Sequence, residues 1–275
     1  FYGAMSTYGS FSYLKYGPIR LFSQLAQDSN LKVGKLIWIA GHSGPETAED
    51  SRTHFGIFAP GVTQLFPDGH IINLHPWEHN EVAPSLAAAL STDVPIVALH
   101  LTRPPVEIPD REKLGMASHL DASKGAYIIK DYNNDKEKMG VIIVRGTSST
   151  NSIVTLIDQL KQNGPNIKIV SAISWELFSK QSKDYQESII SATEWSDSMV
   201  ITNGALRLMH KWISNKIVEK YSMSPDFDNR WRTGGSVDEI VAESKLDSKS
   251  IFDGILKFAN ERPKRLELIK KSLPS

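Results

Sequence analysis

Apolar positions along this chain occur in short, nearly unbroken runs separated by stretches of helical spacing. Residues 35–40 and 94–101 are such runs and predict buried strands, and 70–74 predicts another. Between them, 16–27 places Ile19, Leu21, Phe22 and Leu25 on one side of a helix interrupted at Gly17-Pro18. Residues 55–66 predict a second helix, weakened by Pro60-Gly61, and 78–91 a third that ends in an alanine-rich stretch. Residues 104–122 are rich in proline and charge without periodicity and read as a linker. The pattern then restarts. Strands at 126–130, 141–145, 168–174 and 198–203 alternate with helical stretches at 150–162, 175–191 and 204–219. Thr233-Gly234-Gly235-Ser236 before Glu239 predicts a capped helix start, and Pro263 divides 248–272 into two helices. Alternation of this kind predicts an α/β protein of two parallel-sheet domains, 1–115 and 123–275.

Composition narrows the picture by exclusion. An apolar content of 40% over 275 residues supports a packed core. The 31 lysines and arginines balance 31 aspartates and glutamates, so nothing marks the chain for nucleic acid or an anionic membrane. Neither is expected as a partner. The absence of cysteine excludes disulfides, thiolate catalysis and cysteine-ligated metal sites. No apolar run reaches about 18 residues, so no membrane-spanning helix is predicted. The first residue is Phe1, which leaves the natural start open.

Candidate chemistry concentrates in the loop after the 35–40 strand. It brings the imidazoles of His42 and His54 and the carboxylates of Glu49 and Asp50 to the carboxyl edge of a sheet, where α/β proteins bind ligands. Imidazoles move protons near neutral pH, and carboxylates accept hydrogen bonds from hydroxyls. Upstream, Ser6-Thr7-Tyr8-Gly9-Ser10-Phe11 could offer an aromatic platform to a flat ring, or simply a strand and turn entering the core. His75-Pro76-Trp77-Glu78-His79 fits a zinc-protease spacing, but Pro76 sets His75 before the helix that the motif needs. Arg103 follows the 94–101 strand. Gly146-Thr147-Ser148-Ser149 follows a strand and opens a helix, a place for an anion or ordinary capping. The basic run from Lys264 and Arg265 to Lys270 and Lys271 reads as a solvated helix face.

The spacing His42, Asp50, His54, with Glu49 before the aspartate and Thr53 before the last histidine, resembles the transketolase family. Ser6-Thr7-Tyr8 and Phe11 are similar to its Ser-Thr-aromatic segment, and Thr102-Arg103 to its arginine after a strand. Ser51-Arg52 stand where the family has Gly-Pro, and Tyr8 where it has phenylalanine. The resemblance implies the later part of a thiamine-diphosphate pyrimidine-binding domain (1–115, incomplete at its start), then a transketolase C-terminal-like domain (123–275). It also implies two-carbon ketol transfer between sugar phosphates, as in the pentose phosphate pathway. His54 and Asp50 would be catalytic, His42 and Arg103 would bind the sugar phosphate, and Tyr8 and Phe11 would hold the cofactor's pyrimidine. The cofactor would be thiamine diphosphate with Mg2+ or Ca2+. The family's Gly-Asp-Gly…Asn motif and activating glutamate have no counterpart here. The diphosphate and metal would therefore belong to another domain or subunit, in a homodimer or split heteromer. The chain alone is expected to be inactive, and the enzyme cytoplasmic. A related thiamine-diphosphate synthase or dehydrogenase subunit, or a non-catalytic homologue or fragment, is the alternative; those enzymes lack a histidine at the start of the loop.

Overall fold

The computed structural model describes residues 2–30, 33–41, 43–232 and 234–272. Two four-stranded sheets organise it. In the first half the chain runs β1 (Tyr2–Tyr8), α1 (Tyr16–Asp28), β2 (Lys35–Gly41), β3 (Ile71–Leu74), α2 (Val82–Leu90) and β4 (Ile96–His100). These strands pair in the order β1-β2-β4-β3, all parallel. Pro18 does not interrupt α1, because it falls in the first turn, where a backbone N–H has no helical partner. Residues 55–66 do not form the expected α-helix. They give a short 3-10 segment, Ala59–Gln64, because Pro60 and Gly61 leave too little continuous backbone bonding.

The segment between the sheets carries α3 (Arg111–Leu114) and a 3-10 turn, His119–Lys124. It is more than a tether. Arg111 donates to Glu78 at 2.9 Å and Glu81 at 2.7 Å, and Tyr127 also bonds Glu81. Trp77 Nε1 donates to the Tyr127 hydroxyl at 2.8 Å, which closes a buried network between the two halves.

The second half runs β5 (Ala126–Lys130), β6 (Val141–Arg145), α4 (Thr147–Val154), α5 (Ile157–Asn163), β7 (Lys168–Ala172), α6 (Trp175–Ser179), α7 (Lys183–Ile189), α8 (Ala192–Ser196) and β8 (Ser198–Thr202). The helices α9 (Lys216–Glu219), α10 (Val237–Glu243), α11 (Ser248–Asn260) and α12 (Arg262–Ser272) follow. The strand order is β5-β7-β6-β8. The protein is thus α/β with two mostly parallel sheets. Every residue of β4, β6, β7 and β8 is buried, the signature of parallel strands covered on both faces.

One edge strand departs from the parallel expectation: β5 runs antiparallel to β7. The chain reaches this sheet at its carboxyl edge, where the Gly125 carbonyl accepts from the amides of Ile173 and Ser174, so the first strand must run back along β7. Gly125 makes that approach possible. Its φ is +87°, and a Cβ there would stand 2.4 Å from the Ser174 carbonyl oxygen. The capping box at Ser236 and Glu239 forms as the sequence predicts. Arg265 does not lie on a solvated face. It is buried, donates to Asp197 at 2.7 Å, and sets its guanidinium 3.6 Å from the Phe258 ring centre.

The carboxyl edges of the two sheets face each other. The amide of His75, just past β3, donates to the Ile173 carbonyl just past β7 at 2.8 Å. Asn73 in β3 donates from its backbone to Glu176 at 3.2 Å. Loops that follow parallel strands are where α/β folds hold ligands, and here two such sets are pressed together.

Candidate functional site

The strand that ends at Tyr8 and the strand that ends at Gly41 are in register, Tyr8 opposite Gly41. This places the N-terminal aromatics beside the loop that follows β2. Within that loop Pro45–Glu49 and Arg52–His54 wind as two short 3-10 turns. The second turn is capped by the Ser51 hydroxyl, which accepts from the Thr53 amide at 3.3 Å. Ser51 thus caps the turn where the transketolase family has Gly-Pro.

The two turns bring Asp50 and His54 together. His54 Nδ1 donates to Asp50 Oδ2 at 2.7 Å, a geometry that fixes ring orientation and tautomer. The Tyr8 ring packs on the His54 imidazole with centres 4.5 Å apart and planes inclined by 30°. Phe11 lies 6.3 Å from Tyr8 at 50°. Both aromatic residues remain nearly half exposed, Tyr8 at 45% and Phe11 at 46%. Tyr13 does not join them; its hydroxyl donates to the Phe58 carbonyl at 2.9 Å. Arg103, just past β4, pairs with Glu49 and reaches to 3.9 Å from Asp50. Tyr8, Phe11, Asp50, His54 and Arg103 therefore gather at one edge of the first sheet, with Glu49 bridging loop and arginine. His42 lies outside the described residues.

His75 and His79 are not on one helix face. His75 follows β3 and stacks on His100 with centres 4.5 Å apart, while His79 opens the turn before α2.

Sequence reasoning passed over Glu46, in the middle of the candidate loop. Its carboxylate is buried against the start of α4, where the Ser148 hydroxyl donates to it at 2.8 Å and Asn203 Nδ2 at 3.0 Å. The anion-ready amides after Gly146 are therefore met by a carboxylate from the other half of the chain. Burial pushes the Glu46 carboxyl group up from its ordinary range, opposed by its backbone, serine and asparagine donors. Gly146 lets the loops approach this closely: its φ is +93°, and a Cβ would fall 1.8 Å from Asn203 Oδ1. Ala48, Phe55 and Ile57 pack with Ile240 of α10, so the loop is clamped from a second side.

A family model, described as the transketolase-like TK C-terminal domain, matches residues 125–223. The chain is similar to transketolases. It is similar to the chloroplastic transketolase of Craterostigma plantagineum, 32% identical over 59% of this chain and 30% of that protein. The chloroplastic transketolase of Spinacia oleracea is 29% identical over 78% of this chain and 28% of its own length. A crystal structure of a transketolase mutant from Pichia stipitis has the same fold, with a TM-score of 0.68 at 23% identity. It covers 98% of this chain and 34% of that one. The transketolase-like chain thus spans about a third of the length of these relatives. Among the described residues no helix is long and apolar enough to cross a membrane.

Proposed function

We propose that this chain supplies the pyrimidine and sugar side of a two-carbon ketol-transfer site, completed by a diphosphate-binding domain or subunit outside residues 1–275. The observation that carries this reading is the gathering of Tyr8, Phe11, Asp50, His54 and Arg103 at the carboxyl edge of one parallel sheet. The family's domain scheme is proposed with it: a pyrimidine-binding part within 1–115 and a C-terminal part from 123 onward.

The residues present fit one part of thiamine diphosphate. Two half-exposed, mutually inclined rings offer apolar faces to its aminopyrimidine. The diphosphate and its Mg2+ or Ca2+ would be held elsewhere. When bound, the cofactor supplies the electron sink for carbon–carbon bond cleavage and formation. The protein's share is positioning and proton handling. His54, aligned by Asp50, hydrogen-bonds the substrate's reacting hydroxyls and relays protons. Asp50 accepts the next hydroxyl and so reads its configuration. Arg103, with His42, holds the terminal phosphate; on sugar entry the guanidinium exchanges Glu49 for phosphate, a planar fork meeting either partner. Leu14, just before α1, and Leu21 and Leu25 on α1 are exposed, as expected of a surface that packs on another domain or a second subunit.

Arg103→Ala in the assembled enzyme tests the phosphate assignment. The expected result is a rise in KM for phosphorylated sugars of roughly 10- to 100-fold with kcat little changed, the loss of a charged hydrogen bond of about 1.5–3 kcal/mol. An unchanged KM would place the phosphate elsewhere.

A further inference from the structure

Between the facing carboxyl edges lies a cavity of about 210 Å³ that none of the candidate-site residues lines. Its walls include His75 after β3, Arg145 at the end of β6, Trp175 and Glu176 after β7, and Lys211 and Trp212 after β8. Arg145 stands at the switch point of the second sheet. The chain leaves β6 for β7 on one side and returns past it to β8 on the other, the arrangement that opens a ligand crevice at the strand ends. At the start of α4, the hydroxyl and the backbone amide of Ser148, which would serve a ligand there, are taken by Glu46.

Arg145 is buried, 5% exposed, and its guanidinium is under-partnered. Nη1 donates to the Leu208 carbonyl at 3.1 Å, and Nη2 has no partner. The charge of Glu176 acts on Arg145 through space and not as a hydrogen-bonded partner, so much of the cost of burying the cation stands, and an anion in the cavity would offset it. The His75 imidazole, also buried, lines the same space. Two carboxylates face it as well, and both are engaged. Glu176 accepts from Asn73 and from Ser174 Oγ at 3.3 Å, with Lys211 at 4.0 Å. Asp68 is paired with Lys211 at 2.7 Å, and His210 completes the titratable lining.

We propose that this cavity binds a small oxyanion, of phosphate size, on the guanidinium of Arg145. It goes beyond the ketol-transfer reading and does not depend on it. A free phosphate and the phosphate group of a small ester share this chemistry, and the volume admits either.

The test is thermal unfolding of the full chain with inorganic phosphate against chloride at matched ionic strength, alongside glycerol phosphate. Phosphate at a hundredfold over Kd is expected to raise Tm by about 5 °C or more. Arg145→Met should lose the response and Arg103→Ala should keep it. Tighter binding of the ester assigns the site to an organic phosphate, and equal binding assigns it to the free ion; both support the proposal. No phosphate-specific rise, or a response lost in Arg103→Ala and kept in Arg145→Met, overturns it. Should Arg145→Met fail to fold, hydrogen exchange on the unaltered chain decides. Phosphate-dependent protection at 172–176 and 206–212 supports the site, and protection confined to other segments refutes it.

Discussion

His54→Ala, in the enzyme assembled with its diphosphate-binding partner, is expected to lower kcat/KM for ketol transfer by roughly 10²- to 10⁴-fold. The size follows from what the side chain is placed to do. Its Nδ1–H is committed to Asp50, so the ring is held in one tautomer beside the aromatic pair. A positioned proton-transfer group of this kind is worth two to four orders of magnitude, and alanine offers no replacement. The His54 side chain is 13% exposed and lies outside the main cores, so the variant should fold with little loss of stability. Asp50→Asn keeps an oxygen acceptor for Nδ1–H and should cost less than His54→Ala. A loss of less than about threefold in His54→Ala would remove this residue from the proposed chemistry.

The second large effect is on stability against pH. His100 is buried, and burial, reinforced by the nearby Arg145 charge, lowers its pKa to about 3. Its Nε2 meets Asn73 Oδ1 at 3.3 Å and Thr63 Oγ1 at 3.2 Å, while Nδ1 has no partner, so a second proton would sit on a buried, unsatisfied donor. His75, stacked on it, is shifted in the same direction by burial and by Arg145. A histidine depressed in the folded state contributes stability above the unfolded pKa of about 6.5, and this is lost as pH falls toward the folded value. Between pH 7.5 and 4.5 the unfolded chain gains a proton that folded His100 does not take, a loss of roughly 2–3 kcal/mol. Glu46 and Glu81, raised by burial, act in the opposite sense at the acid end of this window. His100→Asn isolates the histidine contribution: in urea unfolding at the two pH values the unaltered chain should lose about 2–3 kcal/mol more than the variant. Equal losses would mean that His100 takes up its proton while folded.

Much of the fold was legible because buried parallel strands leave unbroken apolar runs. The strands at 141–145 and 198–202 could be read in this way. The elements that were misread are those where tertiary contacts override local pattern. Residues 55–66 have apolar content suited to a helix, but Pro60-Gly61 and packing against α10 leave a 3-10 turn. The β5 direction depends on where the chain enters the second sheet, which no local pattern records. Arg265 looks solvated by composition and is buried by its pairing with Asp197. In the candidate site, the spacing of Asp50 and His54 carried the resemblance to transketolases and that resemblance pointed to Arg103, whereas Glu46 and Arg145 left no such signal. Their roles arise from the meeting of two carboxyl edges far apart in sequence. A glutamate after Gly-Pro and an arginine ending an apolar strand were the faint traces available.

In the proposed function this chain holds the pyrimidine side of a thiamine-diphosphate site and not its diphosphate side. The most direct measurement is an NMR titration of the isolated chain with 4-amino-5-hydroxymethyl-2-methylpyrimidine, thiamine and magnesium thiamine diphosphate. Weak binding of all three is expected, with shifts in the ring resonances of Tyr8, Phe11 and His54. Thiamine and its diphosphate should agree in affinity within about threefold, less than 1 kcal/mol. Magnesium-dependent binding of the diphosphate a hundredfold or more tighter than thiamine, or shifts that spare Tyr8, Phe11 and His54, would contradict it.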